Sequence, residues 1–133
     1  FYNLFLHDIY GENDYRDKII HTILKNHKIN KNVTISSRKL ALNLLNVRDV
    51  NQAINLIINK NIISGDYIVK SKNFTNIVNL IKKANKSIKK KIKLKILNNK
   101  IEKKIKKKIK ILPHWKQKFT IEKDLIKYLY ENN

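Results

Sequence analysis

Cysteine and methionine are absent from this sequence, and its 133 residues include only two glycines and one proline. Without cysteine the chain can form neither disulfides nor thiolate metal sites. With two glycines it has no Gly-rich phosphate-binding loop. No uncharged apolar run approaches about 18 residues, so the sequence predicts no membrane-spanning segment.

Acidic residues are also few, because 10 Asp and Glu face 30 Lys and Arg, which leaves a net charge of +20. Self-repulsion of that size destabilises a compact chain unless a polyanion neutralises it. Nucleic acid is the first expectation for such a partner and an anionic membrane the second. The abundance of Lys, Asn and Ile is also typical of an AT-rich coding sequence. The length predicts one domain, or one domain with a small appendage. Because the first residue is Phe1 rather than Met, the possibility that the chain is a fragment or the ordered part of a longer protein stays open.

No catalytic constellation is visible in the sequence. The four histidines are scattered, and no Glu or Asp lies at metal-ligand spacing with two of them. The acidic residues are dispersed, with no pair placed for acid–base chemistry. We therefore predict a protein that is not an enzyme and has no metal or cofactor.

Apolar periodicity predicts mixed helices and strands. A helix is expected over 15–27, a second from Ser36 to Val47, and a third that begins after a cap at Asp49. A short strand at 62–64, a turn at Gly65-Asp66 and a return strand at 67–69 predict a β-hairpin. Further elements are an apolar segment at 74–81, a strand at 91–96, a helix at 99–110, and an apolar set at 119–130 that ends in Tyr128 and Tyr130.

The densest positive charge lies between Lys82 and Lys110. Three interpretations stay open for it: a solvated surface enlarged by codon bias, a phosphate-neutralising surface, and a cationic amphipathic helix on a membrane. The apolar side of the tract is lined by isoleucine without aromatic residues, and Asn98 and Asn99 interrupt it. Both features count against the membrane.

Two of the three arginines, Arg38 and Arg48, are predicted to lie at one corner together with Lys39. An Arg guanidinium can bind phosphate through two parallel hydrogen bonds, so this corner suggests a phosphate contact. The following helix would present a polar face towards the same side. The alternative is an ordinary solvent-exposed helix surface.

The run from Ala53 to Phe74, AINLIINKNIISGDYIVKSKNF, resembles the core of the RNA-binding domain in the small-subunit ribosomal protein S-four family. That pattern has an Ala–x–x–Leu–Ile helix, an isoleucine strand, a two-residue turn, a valine strand and an aromatic residue. Pro113-His114-Trp115 and the tyrosine-rich ending at 124–131 follow in the family's order. The resemblance covers about residues 36–131. It departs at Ile54, where the family usually has an arginine that contacts phosphate.

The resemblance implies an α+β fold in three parts. Residues 1–35 would form a helical N-terminal part, residues 36–97 an S-four-like RNA-binding module, and residues 98–133 a basic helix and tail. The module would consist of two short helices, a β-hairpin and a return strand. In function, the chain would be a structural constituent of the small ribosomal subunit of an organelle, either a mitochondrion or a plastid. It would bind small-subunit rRNA at a multi-helix junction and support assembly and translation accuracy.

The same resemblance implies partners and a binding surface. The partners would be small-subunit rRNA, a neighbouring S-five-like ribosomal protein, and messenger RNA near its entry path, with no membrane. Ten side chains are predicted to contact RNA, mainly through its shape: Arg38, Lys39, Arg48, Asn51, Gln52, Asn55, Asn59, Lys60, Lys70 and Lys72.

Two other functions fit the same outline. Two short helices followed by a hairpin also suit a winged-helix DNA-binding protein, in which Asn51, Gln52 and Asn55 would read bases in the major groove. A stand-alone RNA-binding module of an RNA-modifying enzyme or a synthetase is the third.

Overall fold

The computed structural model describes residues 1–102 and 108–132. These residues form four helices: Ile19–Lys28 (α1), Val47–Asn59 (α2), Ile77–Ser87 (α3) and Ile121–Glu131 (α4). They also form nine short strands: Tyr2–Leu6 (β1), Asp8–Tyr10 (β2), Val33–Ile35 (β3), Ala41–Leu42 (β4), Leu44–Asn46 (β5), Gly65–Val69 (β6), Thr75–Asn76 (β7), Leu94–Ile96 (β8) and Lys110–Ile111 (β9).

The strand pairings are parallel except for one. A three-stranded sheet has the order β1-β6-β9, and the pairs β2–β5 and β3–β8 are parallel as well. Only β4–β7 is antiparallel among the described pairs. Parallel neighbours need long crossover connections, and here helices supply them. The fold is therefore α/β, and the predicted α+β fold with an S-four-like module is wrong.

The predicted β-hairpin does not form. Residues 62–64 are not a strand, and Gly65 opens β6 instead of making a turn. β6 runs parallel to β1, with Gly65 opposite Tyr2 and Val69 opposite Leu6. The segment 65–69 therefore pairs with a strand that lies 63 residues earlier, counted from Tyr2 to Gly65, and not with the adjacent residues 62–64. No local sequence pattern signals such a pairing.

The predicted helix from Ser36 to Val47 is wrong as well. This segment contains β4 and β5, which pair with β7 and β2. The following helix was predicted correctly, but its cap was not. The side chain of Asn46 accepts a hydrogen bond from the Arg48 amide at 2.9 Å, whereas Asp49 is buried inside the first turn.

Other local predictions are confirmed in part. Helix α1 ends one residue after the predicted C-terminal residue, and α4 contains much of the final apolar set. The strand predicted at 91–96 is present as β8, with Ile92 buried just before it. The helix predicted at 99–110 includes residues 103–107, which lie outside the described residues. Its described flanks at 99–102 and 108–109 are not helical.

Two apolar clusters form the core. The larger one packs α1, α3 and α4 around β3 and includes Ile23, Val33, Ile77 and Leu125. The smaller one packs α2 against β6 and includes Ala53, Val69 and Leu112. The larger cluster joins residues from Tyr10 to Leu129, so it crosses all three predicted parts of the chain. The boundaries of those parts stay a prediction. None of the described helices is both long and apolar enough to cross a membrane.

Candidate functional site

A cleft of about 710 Å³ lies where strands β6 and β9 end. In open parallel α/β sheets, ligands bind outside the carboxyl ends of the strands, because the loops there converge. Lys70 follows the last residue of β6, and Ile111 is the last residue of β9. The volume suits a small organic ligand. The cleft is lined by Lys70, Ser71, Lys72, Asn73, Thr75, Ile111, Trp115, Lys116, Gln117, Thr120, Ile121 and Glu122.

Positive charge dominates the lining of this cleft. Lys70, Lys72 and Lys116 oppose one carboxylate, that of Glu122. Lys70 is half-buried, while Lys72 and Lys116 are exposed. An ammonium group that is partly shielded from water attracts an anion more strongly than one in bulk solvent. The cleft is therefore suited to a ligand that carries negative charge.

One wall of the cleft is held by Asp49, whose side chain is fully buried. Its two carboxylate oxygens accept hydrogen bonds from the backbone amides of Lys118 at 2.9 Å and Phe119 at 3.1 Å. Its backbone carbonyl accepts a third bond from Trp115 Nε1 at 3.2 Å. Asp49 thus fixes the segment 115–119 against the start of α2. A buried carboxylate requires such donors, because its desolvation is otherwise unfavourable.

The opposite wall is held by amide side chains. Asn43 donates from Nδ2 to the Ser71 carbonyl at 2.9 Å and accepts from the Ser71 amide at 2.8 Å. This pair imitates a strand ladder and is buried. Gln117 then accepts bonds from the Lys72 amide at 2.9 Å and the Ser71 hydroxyl at 3.2 Å. These bonds tie the two walls together, so the cleft is pre-organised.

A second buried network lies between β2, β5 and α4. The Tyr10 hydroxyl donates to Asp124 Oδ2 at 2.7 Å, and Asn46 Nδ2 donates to the same oxygen at 2.8 Å. Burial raises the pKa of the Tyr10 hydroxyl far above its ordinary value, and the hydrogen bond to Asp124 raises it further. Burial is also the main cause of the raised pKa of Tyr128. Tyr10 therefore stays protonated and acts as a structural donor.

The described residues offer no metal site, because no group of three His, Cys, Asp or Glu side chains converges among them. The histidines have separate environments. His27 is buried with Nε2 2.9 Å from the Lys90 carbonyl, His21 packs edge-on against Tyr15, and His7 packs edge-on against Phe74.

The structure gives the residues of the predicted phosphate corner different surroundings. Arg38 and Lys39 are exposed in the turn before β4, where the Arg38 carbonyl accepts from Asn76 Nδ2 at 2.9 Å. Arg48 instead pairs with Glu12 at 2.8 Å and lies over the Phe119 ring at 5.4 Å. Its guanidinium is thus engaged within the chain.

The other predicted site residues fall in two places. Asn51, Asn55 and Asn59 are exposed on α2, Gln52 is half-buried there, and Lys60 follows the helix. Lys70 and Lys72 line the cleft. Whether any of the ten side chains contacts a ligand stays a prediction.

Trp115, Lys116, Gln117 and Asn73 were not among the predicted site residues. Their signal is that Asn73 lies four residues after the end of β6 and the other three lie four to six residues after the end of β9. That signal becomes readable only when the two strands are known to be parallel neighbours in one sheet.

This chain shares its fold with solved structures of two epimerases and a dehydratase. No family model and no curated protein sequence matches the chain. Solved structures do match. The UDP-glucuronic acid 4-epimerase from Bacillus cereus, solved with UDP-glucuronic acid and NAD, is 17% identical over 96% of this chain, with a TM-score of 0.74.

Two further structures match at similar quality. The dTDP-glucose 4,6-dehydratase from Bacillus anthracis is 20% identical over 98% of this chain, with a TM-score of 0.73. The UDP-glucose 4-epimerase from Thermus thermophilus is 14% identical over 97%, with a TM-score of 0.68. The chain covers 44%, 44% and 45% of these three structures, which is less than half of their length.

The shared fold is a partial Rossmann-like fold. This finding overturns the identification with the S-four family, since the three matched structures are two epimerases and a dehydratase, each in complex with NAD. The ribosomal function and the partners predicted with it, rRNA, messenger RNA and an S-five-like protein, are wrong for the same reason. The winged-helix alternative is not supported either. The prediction of a protein that is not an enzyme is contradicted as well, because the matched structures are themselves enzymes, two epimerases and a dehydratase.

Proposed function

We propose that this chain forms the nucleotide-sugar-binding part of an epimerase- or dehydratase-type enzyme. The observation that carries the proposal is the likeness in fold, which extends over nearly the whole chain. The matched structures are named for UDP- and dTDP-linked sugars. The ligand class proposed here is therefore a sugar joined to a nucleoside diphosphate.

The cleft at the ends of β6 and β9 has the charge that such a ligand requires. Its diphosphate is anionic, and three lysines line the cleft against one glutamate. Hydrogen bonds that involve a charged group contribute about 1.5–3 kcal/mol each. Two of them, at the low end of that range, correspond to roughly a hundredfold in affinity. We therefore place the diphosphate between Lys70, Lys72 and Lys116.

The residues of this chain do not fit a dinucleotide site of the usual kind. Rossmann-type sites hold the pyrophosphate at a Gly-x-Gly-x-x-Gly turn between a strand and a helix. Here the strand-to-helix connection from β2 to α1 has one glycine, Gly11, and a Cβ at that position would lie 2.8 Å from Val47 Cγ1. Gly11 thus serves close packing. We propose no step that involves NAD within these residues.

The proposal is tested by titrating the purified chain with UDP-glucuronic acid, UDP-glucose and dTDP-glucose. Trp115 is the only tryptophan and lines the cleft, so its fluorescence reports binding there. UDP alone and free glucuronic acid separate the diphosphate contribution from that of the sugar. We expect UDP to retain much of the affinity and the free sugar very little.

A matched pair of variants locates the site. The triple variant Lys70→Gln, Lys72→Gln and Lys116→Gln should weaken binding at least about tenfold and reduce its salt dependence. The control Lys83→Gln, Lys89→Gln and Lys95→Gln removes the same charge from exposed positions outside the cleft. Equal weakening by the two triple variants would refute the cleft as the binding site, because net charge alone would then explain the affinity. No binding of any nucleotide sugar would refute the function.

A further inference from the structure

The C-terminal ends of helices α1 and α3 meet through the turn that follows α3. Two contacts hold this turn against α1: Lys90 Nζ donates to the Lys28 carbonyl at 3.0 Å, and His27 Nε2 lies 2.9 Å from the Lys90 carbonyl. Asn85 holds the turn against α3, since it accepts from the Ile92 amide at 2.7 Å and donates to the Ile92 carbonyl at 3.1 Å. These bonds give this end of the two helices a fixed shape.

Lysine is concentrated in the two segments that meet there. Residues 25–31 contain three lysines and residues 82–95 contain eight, and neither segment contains Asp or Glu. All eleven lysines are exposed. Lys95 lies on β8 opposite Thr34 of β3, so the neighbouring strand adds no carboxylate either. We call the eleven lysines of these two segments the basic end.

Only two lysines of the basic end have a role in the fold. Lys90 binds the carbonyl of the last residue of α1, and Lys91 Nζ donates to the carbonyls of Asn85 and Ile88 at the end of α3. A cation at such a position satisfies terminal carbonyls and complements the helix dipole. The side chains of the other nine form no hydrogen bond or ion pair with the described part of the chain. Because these nine ammonium groups repel one another, an anionic partner would stabilise this end.

The composition of the basic end favours a lipid surface as that partner. Arginine binds single phosphates or carboxylates in a fixed geometry, and aromatic side chains stack on bases, but neither segment contains Arg, Phe, Tyr or Trp. Clusters of about four to eight basic residues are typical of proteins that bind anionic lipid headgroups. The lack of aromatic residues counts against a helix that inserts into a bilayer, whereas adsorption of a folded surface through its charge requires none. Ile29, which is 49% exposed between Lys28 and Lys31, offers one apolar side chain to such an interface.

We propose that the basic end binds the surface of an anionic phospholipid membrane, with its lysines at the headgroups and Ile29 at their boundary with the acyl chains. The interaction is independent of the proposed nucleotide-sugar cleft, because no lysine of the basic end lines that cleft. Since charge drives the binding, it weakens as the salt concentration rises.

Sedimentation with lipid vesicles tests this proposal. At roughly 0.1 M salt we expect the chain to sediment with phosphatidylcholine vesicles that contain about 30% phosphatidylserine, and to stay in solution with vesicles of phosphatidylcholine alone. Salt at about 0.5 M should release the chain from the anionic vesicles. Equal sedimentation with both kinds of vesicle, or sedimentation with neither, would overturn the proposal.

Two triple variants of equal charge locate the binding surface. The variant Lys83→Gln, Lys89→Gln and Lys95→Gln alters the basic end, whereas the triple variant of the cleft lysines removes the same charge elsewhere. Each lysine near an anionic leaflet contributes about fivefold in affinity, so the first triple should weaken vesicle binding roughly a hundredfold and the second less than about threefold. Circular dichroism should show the same helix content for both. Equal weakening would overturn the basic end as the surface, because total charge alone would then account for the binding.

An uncharged variant separates a membrane from other anionic partners. Ile29→Gln should weaken binding to the anionic vesicles at least about threefold, since it removes the apolar contact, while Ile54→Gln on α2 should leave it unchanged. An equal effect of the two variants would contradict the placement of Ile29 at the lipid. Displacement of the chain from the vesicles by transfer RNA or polyglutamate at the same charge concentration would overturn the choice of a membrane and assign the surface to those polymers.

Discussion

Replacement of Asp49 by alanine is the sharpest test of how the cleft is built. The buried carboxylate accepts two backbone hydrogen bonds, from Lys118 and Phe119. Hydrogen bonds to a charged group contribute about 1.5–3 kcal/mol each, and their loss leaves two amides unsatisfied. We therefore expect a loss of about 3–5 kcal/mol, a large fraction of the stability of an ordinary domain.

Urea unfolding measures this loss. With an m-value of about 1–3 kcal/mol per molar, the unfolding midpoint should fall by at least about 1 M. Trp115 fluorescence follows the segment that Asp49 holds, and circular dichroism follows the helices. Asp49→Asn keeps one acceptor oxygen but turns an amide donor towards the second backbone amide, so we expect an intermediate loss.

Asp17→Ala is the matched control, because it removes an exposed carboxylate and the same charge. Its free energy of unfolding should stay within about 0.5 kcal/mol of the parent value. A loss below about 1 kcal/mol for Asp49→Ala would refute the reasoning, since two buried charged hydrogen bonds cannot be removed at so little cost.

Two further predictions concern the buried polar groups. Asn43→Ala removes both bonds to the Ser71 backbone and should lower the free energy of unfolding by about 2–4 kcal/mol, measured with heat or urea. The exposed control Asn51→Ala should lower it by less than about 0.5 kcal/mol. Equal effects of the two variants would contradict the assigned pairing. Burial raises the pKa of the Tyr10 hydroxyl in the folded state, so above about pH 10 only the unfolded state loses that proton. The free energy of unfolding should therefore fall with rising pH there, by up to about 1.4 kcal/mol per pH unit. Tyr10→Phe should flatten that slope in unfolding measured between pH 9 and roughly 11.5, and an unchanged slope would show that Tyr10 is not the group responsible.

Local elements were predictable where the side chains of one segment decide them. Helix α1 is indicated by the apolar spacing of Ile19 and Ile23, and α2 by that of Val50 and Ala53. Strand β8 is indicated by the alternation of apolar and charged residues around Leu94. These patterns succeed because each element buries a single face, whatever it packs against. The predictions failed where the partner is remote. Leu40 and Leu44 have helical spacing, yet their segment pairs with β7 and β2 as strands.

The candidate site was predictable only in part. Lys70 and Lys72 were among the predicted binding residues and do line the cleft, although rRNA was the wrong partner. Trp115, Lys116 and Gln117 were missed, because they lie more than 40 residues from Lys70 along the chain. Asp49 was interpreted as a helix cap. Its actual bonds to Lys118 and Phe119 join segments 69 and 70 residues apart, as the two hydrogen bonds record.

The sequence by itself determined the charge, the lack of disulfides and of a Gly-rich loop, and the approximate positions of α1 and α2, since each depends on composition or on neighbouring residues. Only the tertiary structure decided that Gly65 opens a parallel strand instead of turning a hairpin. A Gly-Asp pair between apolar residues is compatible with both, and the choice depends on whether the better partner for 65–69 is the adjacent segment or β1. With β1 as the partner, residues 65–69 belong to a parallel α/β sheet and not to a hairpin of an RNA-binding module.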